Sequence, residues 1–235
     1  MSSPKYPRTP HLPWSPGMSN DDRMIEDMSL LLSQSTIITE KLDGGNICMT
    51  SRHVYARSHT GTPSHPLYDL AKRIHAMISP YIPEFESWFF EWTYGVASIT
   101  YAELPSPLHL IGIRDDDEMV WASWRALELQ VEQLNYQFPG VVHLVPRLAE
   151  RTGTILAGTS PDSTILQNVT ERLAKMPSVY GPTREGVVIR LASSFEDKDF
   201  DRSVAKWVRE GHVQTDEHWM SREIIKQKLS KEFKL

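Results

Sequence analysis

The sequence predicts a mixed fold of α-helices and β-strands, and two patterns indicate it. Short apolar runs rich in β-branched and aromatic residues are typical of strands, and they recur at residues 37–38, 88–95 and 108–113. Apolar residues at helical spacing predict helices over residues 67–78 and 124–136. A further helix is predicted after Ser160 and Pro161, which resemble a helix cap followed by proline at the first helical position.

Composition limits the class of protein. The 235 residues fit one domain or two small ones, and 40% hydrophobic and 23% charged residues are typical of a globular protein. The single cysteine excludes an internal disulfide. No apolar run approaches the roughly 18 residues that span a bilayer, and the start lacks the apolar core of a signal peptide, so we expect a cytoplasmic location and no membrane partner. The net charge of −5 argues against nonspecific nucleic-acid binding but leaves room for a local basic groove.

Both ends of the chain have their own patterns. Residues 1–35 are predicted to form a proline-rich segment that packs on a domain of residues 36–235, because Tyr6, His11, Leu12 and Trp14 exceed what a solvated linker needs. From Thr215 onward the sequence predicts a short carboxy-terminal helix with apolar residues up to Leu229. Its basic residues are expected on a solvated face, and contact with a nucleic-acid backbone is the alternative.

Lys41 is the strongest candidate for a reactive side chain. It follows an apolar strand and precedes Asp43-Gly44-Gly45, the composition of a tight hairpin turn. Lys41 and Asp43 would project to the same side of an extended chain, so the carboxylate could orient the amine. An amine attacks phosphorus only when deprotonated, so we expect the site to depress the pKa of Lys41 from its ordinary value of about 10.4. An exposed turn with no catalytic role is the alternative.

Three more segments set one charged side chain into an apolar strand pattern: Glu91 within residues 88–95, Glu185 on the row of Val187 and Ile189, and Lys206 between Val204 and Val208. Burying a charge without a partner costs several kcal/mol, so each charge should have a partner or face a cleft. A solvent-exposed strand start is the alternative for Glu185.

In their order, these motifs resemble the covalent nucleotidyltransferase superfamily of polynucleotide ligases and capping enzymes. Residues 39–46 resemble the Lys-x-Asp-Gly acceptor motif as it occurs in ATP-dependent RNA ligases, and residues 185–188 resemble the Glu-Gly-Val-Val motif. The resemblance implies an α+β nucleotidyltransferase fold, with antiparallel sheets that enclose an ATP cleft. Too few residues follow Arg209 for an OB-fold domain, so we expect the stand-alone RNA ligase group.

The resemblance also implies a role for each matching residue. Lys41, Glu185 and Lys206 would be catalytic, with Glu185 near a metal ion and in contact with it directly or through water. The expected nucleotide-binding residues are Lys41, Asp43, Arg57, Glu91, Ile111, Glu185 and Lys206, and the expected RNA-end-binding residues are Asn46, Arg52 and Arg209. The expected cofactors are ATP and Mg²⁺, for which Mn²⁺ could substitute.

The function implied is ATP-dependent joining of RNA 5′-phosphate and 3′-hydroxyl ends through lysyl-AMP and RNA-adenylate, in RNA repair and with an end-processing protein as a partner. A DNA or DNA:RNA hybrid nick ligase is one alternative, because the motifs do not encode the sugar. A degenerate protein that binds nucleic-acid ends is the other. It is suggested by Ala97, where the family has histidine, and by Ile111, where the superfamily often has an aromatic residue.

Overall fold

The computed structural model describes residues 5–58, 61–153, 163–212 and 225–235. These residues form two largely antiparallel sheets with helices packed against them, which confirms the predicted α+β class. The helices are α1 (Ser29–Ser33), α2 (Asp69–Ile78), α3 (Trp124–Gln137), α4 (Ser163–Ala174) and α5 (Phe200–Ser203). None of the helices within these described ranges is long and apolar enough to cross a bilayer.

The first sheet has the strand order β11-β9-β1-β8, where β1 is Thr36–Lys41, β8 is Arg147–Arg151, β9 is Gly186–Leu191 and β11 is Val204–Val208. The second sheet has the order β10-β6-β5-β4-β2-β3, and β7 pairs with β5 in parallel. Its strands are β2 (Gly45–Met49), β3 (Val54–Ala56), β4 (Glu86–Trp92), β5 (Leu108–Asp115), β6 (Val120–Trp121), β7 (His143–Leu144) and β10 (Phe195–Glu196).

The hairpin predicted at Asp43-Gly44-Gly45 is wrong. Strand β1 pairs with β8 and β9, whereas β2 pairs with β3 and β4, so the chain passes from one sheet to the other just after Lys41. Gly44 is needed at this crossing because a Cβ there would lie 2.5 Å from the carbonyl oxygen of Trp92. Lys41 therefore lies at the junction of the two sheets.

Strand alternation decides which side chains face the space between the sheets. On β4, Trp88 and Phe90 belong to the core on the outer side of the second sheet, where α2 and α3 pack. Phe89 belongs to the other core, which it shares with the first sheet and the amino-terminal segment. Successive strand residues point to opposite faces, so Glu91 lies on the same face as Phe89.

The amino-terminal segment, residues 5–28, lies along the edge of the first sheet at β11. The backbone N–H of Lys206 donates to the carbonyl of Pro10 at 2.9 Å, and the N–H of Leu12 donates to the carbonyl of Lys206 at 2.8 Å. The ring of Tyr6 packs with its centroid 5.4 Å from the ring centroids of Phe89, Trp121 and Phe200. The segment is thus an integral layer of the described structure.

The helix predictions hold in part. Helix α3 matches its predicted span, and the helix predicted at residues 67–78 is α2 preceded by a 3₁₀ turn, Pro66–Tyr68. The predicted cap at Ser160 and Pro161 lies outside the described residues.

The prediction of a carboxy-terminal helix is wrong for residues 225–229, which are not helical. The rest of the predicted helix, residues 215–224, lies outside the described ranges. Residues 225–235 form isolated bridges, from Lys226 to Gly95 and from Leu229 to Leu104. The buried Gln227 side chain donates to the carbonyl of Ile99 at 2.7 Å. The backbone polar groups of this segment are therefore bound by a neighbouring loop instead of by a helix of their own.

Candidate active site

A cavity of about 650 Å³ lies between the two sheets and the amino-terminal segment. Its lining includes seven of the residues that the sequence predicted for the site: Lys41, Asn46, Arg57, Glu91, Ile111, Glu185 and Lys206. These residues come from seven strands or their ends, so folding gathers side chains that are far apart in the chain. This cavity is the candidate active site.

Lys41 and Glu185 form an ion pair at the sheet junction. Lys41 Nζ lies 2.6 Å from Glu185 Oε1, and the Glu185 side chain is almost fully buried. Burial opposes the charge on Lys41, but the negative charges of Glu185, Glu91 and Asp43 outweigh it and raise the pKa of Lys41. The predicted depression of this pKa is therefore wrong.

Glu185 immediately precedes β9, where strict strand alternation does not hold. Val187 and Ile189 are buried in the core, whereas Val188 and Arg190 line the cavity together with Glu185. Gly186 makes this arrangement possible because a Cβ there would lie 1.9 Å from the carbonyl oxygen of Trp207 on β11. The prediction that Glu185 shares a face with Val187 and Ile189 is wrong.

Asp43 is held by the loop that follows β4, and it does not pair with Lys41. Its Oδ2 accepts hydrogen bonds from the backbone N–H groups of Ser98 at 2.7 Å and Ile99 at 2.6 Å, and from Ser98 Oγ at 3.0 Å. Its backbone N–H donates to Tyr101 Oη at 2.7 Å. Glu185 therefore takes the role of orienting the lysine that the sequence suggested for Asp43.

His212 completes a cluster of three candidate metal ligands. Its Nε2 lies 3.2 Å from Glu185 Oε1 and 3.7 Å from Asp43 Oδ1, and one ligand atom from each of the three residues falls within 4.8 Å of the others. Within the described residues, the buried Oε2 of Glu185 has no hydrogen-bond partner. An imidazole and two carboxylates, one of which has this free buried oxygen, fit a divalent cation.

Lys206 projects from β11 toward the same cavity and pairs with Asp22. Its Nζ lies 3.1 Å from Asp22 Oδ1. Burial is the largest influence on Lys206 and lowers its pKa, and the positive charge of Lys41 acts in the same direction. Within the described residues, the cavity lining thus includes two lysines, each with its own carboxylate.

Glu91 has a pKa raised to about 7. Burial is the main cause, the positive charge of Lys41 opposes it, and the negative charges of Glu185 and Asp43 add to it. Glu91 is therefore partly protonated at neutral pH. A carboxylic acid can donate a hydrogen bond as well as accept one, which suits contact with a sugar hydroxyl.

Ile111 occupies a β-bulge on β5. Gly112 pairs with Phe89 and Leu110 pairs with Phe90, so Ile111 is the extra residue between two consecutive partners on β4. Bulges redirect a side chain, and Ile111 lines the cavity while it packs against both cores. This position therefore presents an aliphatic side chain to the cavity.

The predicted RNA-end-binding residues are not gathered in one place. Asn46 lines the cavity next to Glu91, its partner across the β2 and β4 pair. Arg52 lies on an exposed turn, pairs with Glu84 at 2.8 Å and is absent from the cavity lining, as is Arg209. Arg209 extends from the end of β11, and its backbone N–H donates to the carbonyl of Glu185 at 3.1 Å.

Among the described residues, sequence reasoning missed Asp22 and His212, which contact predicted site residues. Asp22 stands in a proline-rich segment without strand or helix periodicity, so no pattern marked it. His212 follows the strand of Lys206, and a histidine so close to that lysine was the available signal.

The fold and the cavity define a nucleotidyltransferase-type domain with a lysine and carboxylate pair at the junction of its sheets. The chain belongs to the RNA ligase family, whose model matches residues 34–208. No curated protein matches the chain in sequence.

Solved structures of a Naegleria gruberi RNA ligase share the fold. A glutamate-to-alanine mutant with ATP and Mn aligns with a TM-score of 0.55 and 15% identity, over 83% of this chain and 57% of that one. A lysine-to-alanine mutant with ATP and Mn aligns with a TM-score of 0.57 and 14% identity, over 89% of this chain and 62% of that one. The complex with PPi aligns with a TM-score of 0.56 and 17% identity, over 89% of this chain and 62% of that one. The chain thus spans about three-fifths of the length of these ligases.

Proposed function

We propose that this chain is an ATP-dependent RNA ligase that joins an RNA 5′-phosphate to a 3′-hydroxyl through lysyl-AMP and RNA-adenylate. The observation that carries the proposal is the 2.6 Å pair of Lys41 and Glu185 in a cavity that also presents Lys206. Membership of the RNA ligase family supports it, and so does the presence of ATP, Mn and PPi with the structural relatives.

In the first step, Lys41 Nζ attacks the α-phosphorus of ATP, the N–P bond forms, and the bond to pyrophosphate breaks. Nζ must lose a proton, and Glu185 Oε1 is within reach of it. The ammonium of Lys206 provides positive charge for the phosphate oxygens. Asp43, Glu185 and His212 would hold a divalent cation, which when bound would bind phosphate oxygens and offset the carboxylate charge that keeps Lys41 protonated.

Two exchanges at phosphorus complete the proposed reaction. The RNA 5′-phosphate displaces Lys41 from AMP, and the proton returns to the amine. The RNA 3′-hydroxyl then attacks the 5′-phosphorus of RNA-adenylate, AMP leaves, and the phosphodiester forms. Asn46 lines the cavity and is the proposed contact for the incoming phosphate, and Arg57, which also lines it, is a proposed contact for the nucleotide. For Arg52 and Arg209 the proposed contact with RNA lies outside the cavity.

The test is sealing of a 5′-labelled strand with ATP and either Mg²⁺ or Mn²⁺, on single-stranded RNA and on nicks made of RNA, DNA or both. We expect ligated RNA with wild type and none with Lys41→Ala. Sealing of all-DNA nicks alone would replace the proposal with a DNA ligase. Tight binding of ends without any sealed or adenylylated strand would replace it with an end-binding protein. The cytoplasmic location, the repair role and the end-processing partner stay predictions.

A further inference from the structure

Asp22 brings a carboxylate from the amino-terminal segment to the cation on β11. Its Oδ1 accepts a hydrogen bond from Lys206 Nζ at 3.1 Å, and both side chains line the cavity. The side chains are only partly exposed, 30% for Asp22 and 19% for Lys206. An ammonium with little solvent needs a fixed anion to remain charged, and Asp22 supplies it.

Asp22 is itself held in place by the segment that carries it. Its Oδ2 accepts hydrogen bonds from Ser19, from the backbone N–H at 3.1 Å and from Oγ at 2.8 Å. Burial opposes the charged form of Asp22, but these bonds and the one from Lys206 outweigh it and lower the pKa of Asp22. The carboxylate is therefore ionised and oriented before any substrate enters.

His11 connects the same carboxylate to the end of β11. His11 Nε2 lies 3.4 Å from Asp22 Oδ2, and His11 Nδ1 shares a hydrogen bond of 2.8 Å with Ser15 Oγ. Ser15 Oγ accepts from the backbone N–H of Val208 at 2.9 Å. Burial and the charge of Lys206 lower the pKa of His11 to about 4, so the imidazole is neutral at neutral pH.

The segment also fixes the backbone of Lys206, through the hydrogen bonds with Pro10 and Leu12 described above. Both the main chain and the ammonium of Lys206 are thus located by residues of the amino-terminal segment. A lysine has a flexible four-carbon stem, and its ammonium has three N–H donors. Asp22 uses one donor, which leaves two for phosphate oxygens.

We propose that Asp22 is a positioning residue that holds Lys206 toward the α-phosphate during formation of lysyl-AMP. The amino-terminal segment is then part of the active site. This inference rests on the proposed function, because it assigns Asp22 a role in the first step of that reaction. Asp22 acts only through Lys206 and makes no contact with the reacting atoms.

The test is a double-mutant cycle on the rate of lysyl-AMP formation from α-labelled ATP, measured over a range of ATP concentrations. Asp22→Ala is expected to lower kcat by about 10- to 100-fold, the size of effect that loss of positioning produces, and to change KM for ATP much less. In a Lys206→Ala background, Asp22→Ala is expected to have no further effect. Asp22→Glu, which keeps the charge, is expected to recover part of the rate.

Asp27→Ala is the matched control. Asp27 also joins the segment to the core, through Arg202 at 2.7 Å, but it does not line the cavity. It should leave the adenylylation rate unchanged. Asp22→Asn keeps the size of the side chain and removes its charge, so it should show the same kcat defect as Asp22→Ala.

Two outcomes would overturn the role of Asp22 while the proposed function stands. One is a wild-type or faster rate in both Asp22→Ala and Asp22→Asn, which would show that Asp22 does not position Lys206 for the reaction. The other is an equal loss of rate in the Lys206→Ala background, which would make the defect a general one. A wild-type protein that takes no label would overturn the proposed function itself.

Discussion

Lys41 Nζ and Glu185 Oε1 lie 2.6 Å apart across the β1 and β9 pair, where Lys41 is the register partner of Gly186. This contact gives the amine an orientation, but it also holds the proton that the proposed reaction must remove. Lys41 can therefore act as a nucleophile only after its amine has lost the proton that the contact with Glu185 stabilises.

Glu185→Gln should separate these two effects. Loss of the carboxylate charge lowers the pKa of Lys41, so its modification by an amine-selective reagent should begin at lower pH, as followed by peptide mass spectrometry. Lysyl-AMP formation should fall by about 100-fold or more, because an oriented charge at the reacting centre is lost. Glu150→Gln, at an exposed position on β8, is the control and should change neither measurement. An unchanged modification profile in Glu185→Gln would contradict the pair.

Glu91 should make folding stability depend on pH. Its pKa rises from the ordinary value of 4.5 to about 7 in the fold, so between these values the folded state binds more protons than the unfolded state. Stability from this group is present below about pH 4.5 and decreases as pH rises to about 7. Glu91→Gln should therefore be more stable than wild type at pH 8, by about 3 kcal/mol at 1.36 kcal/mol per pKa unit.

Urea unfolding of wild type and Glu91→Gln at pH 5, 6, 7 and 8 checks this sign. The difference in unfolding free energy should narrow steadily toward pH 5. A difference that stays constant across the series would show that Glu91 does not titrate in this window.

Glu40, which precedes Lys41 on β1, forms a buried ion pair with Arg184. Arg184 Nη2 lies 3.5 Å from Glu40 Oε2, and both side chains are almost completely buried. Glu40 Oε2 also accepts from the backbone N–H of Val179 at 2.9 Å. Glu40→Ala should lower the free energy of unfolding by about 3–5 kcal/mol, because it leaves the Arg184 charge buried without its partner.

The double variant Glu40→Leu with Arg184→Met should recover much of that loss in urea unfolding, since no buried charge remains. If Glu40→Ala cost less than about 1 kcal/mol, the arginine would have found another partner. The pair would then not be a structural support for Lys41.

Ile111→Phe tests which wall of the cavity receives the base. An aromatic ring at the bulge would add stacking worth about 1 kcal/mol, so the Kd for ATP should fall about fivefold. Ile113→Phe is a control on the same strand, where the side chain is buried in the outer core and overpacking should reduce stability instead. Calorimetric titration with ATP gives the Kd of each variant, and only Ile111→Phe should show the lower value. An unchanged Kd in Ile111→Phe would place the base elsewhere.

The strands and the charges set into them could be predicted because strand patterns are local, whereas the other site residues were expected from the resemblance to the ligases. A charge set in an apolar strand has to meet a partner or a cleft, and Glu91 and Lys206 both line the cavity. The crossing after Lys41 could not be predicted, because turn composition does not say which strands pair. The partners of β1 and β2 lie far along the chain, in β8, β9 and β4.

Asp22 shows a second limit. Its position depends on backbone hydrogen bonds that join Pro10 and Leu12 to Lys206, and no periodic pattern encodes such contacts. The pKa of Lys41 shows a third limit of sequence-based prediction. Three carboxylates from different strands and loops decide whether this pKa is raised or lowered.

Locating the covalent nucleotide tests the proposed role of Lys41 directly. Wild type is incubated with α-labelled ATP and Mg²⁺ or Mn²⁺, after pyrophosphate treatment to remove any bound AMP, and the labelled peptide is identified by mass spectrometry. We expect one AMP on Lys41, label lost on return of pyrophosphate, and no label on Lys41→Ala. Label on another residue, or sealing activity retained by Lys41→Ala, would contradict the lysyl-AMP mechanism.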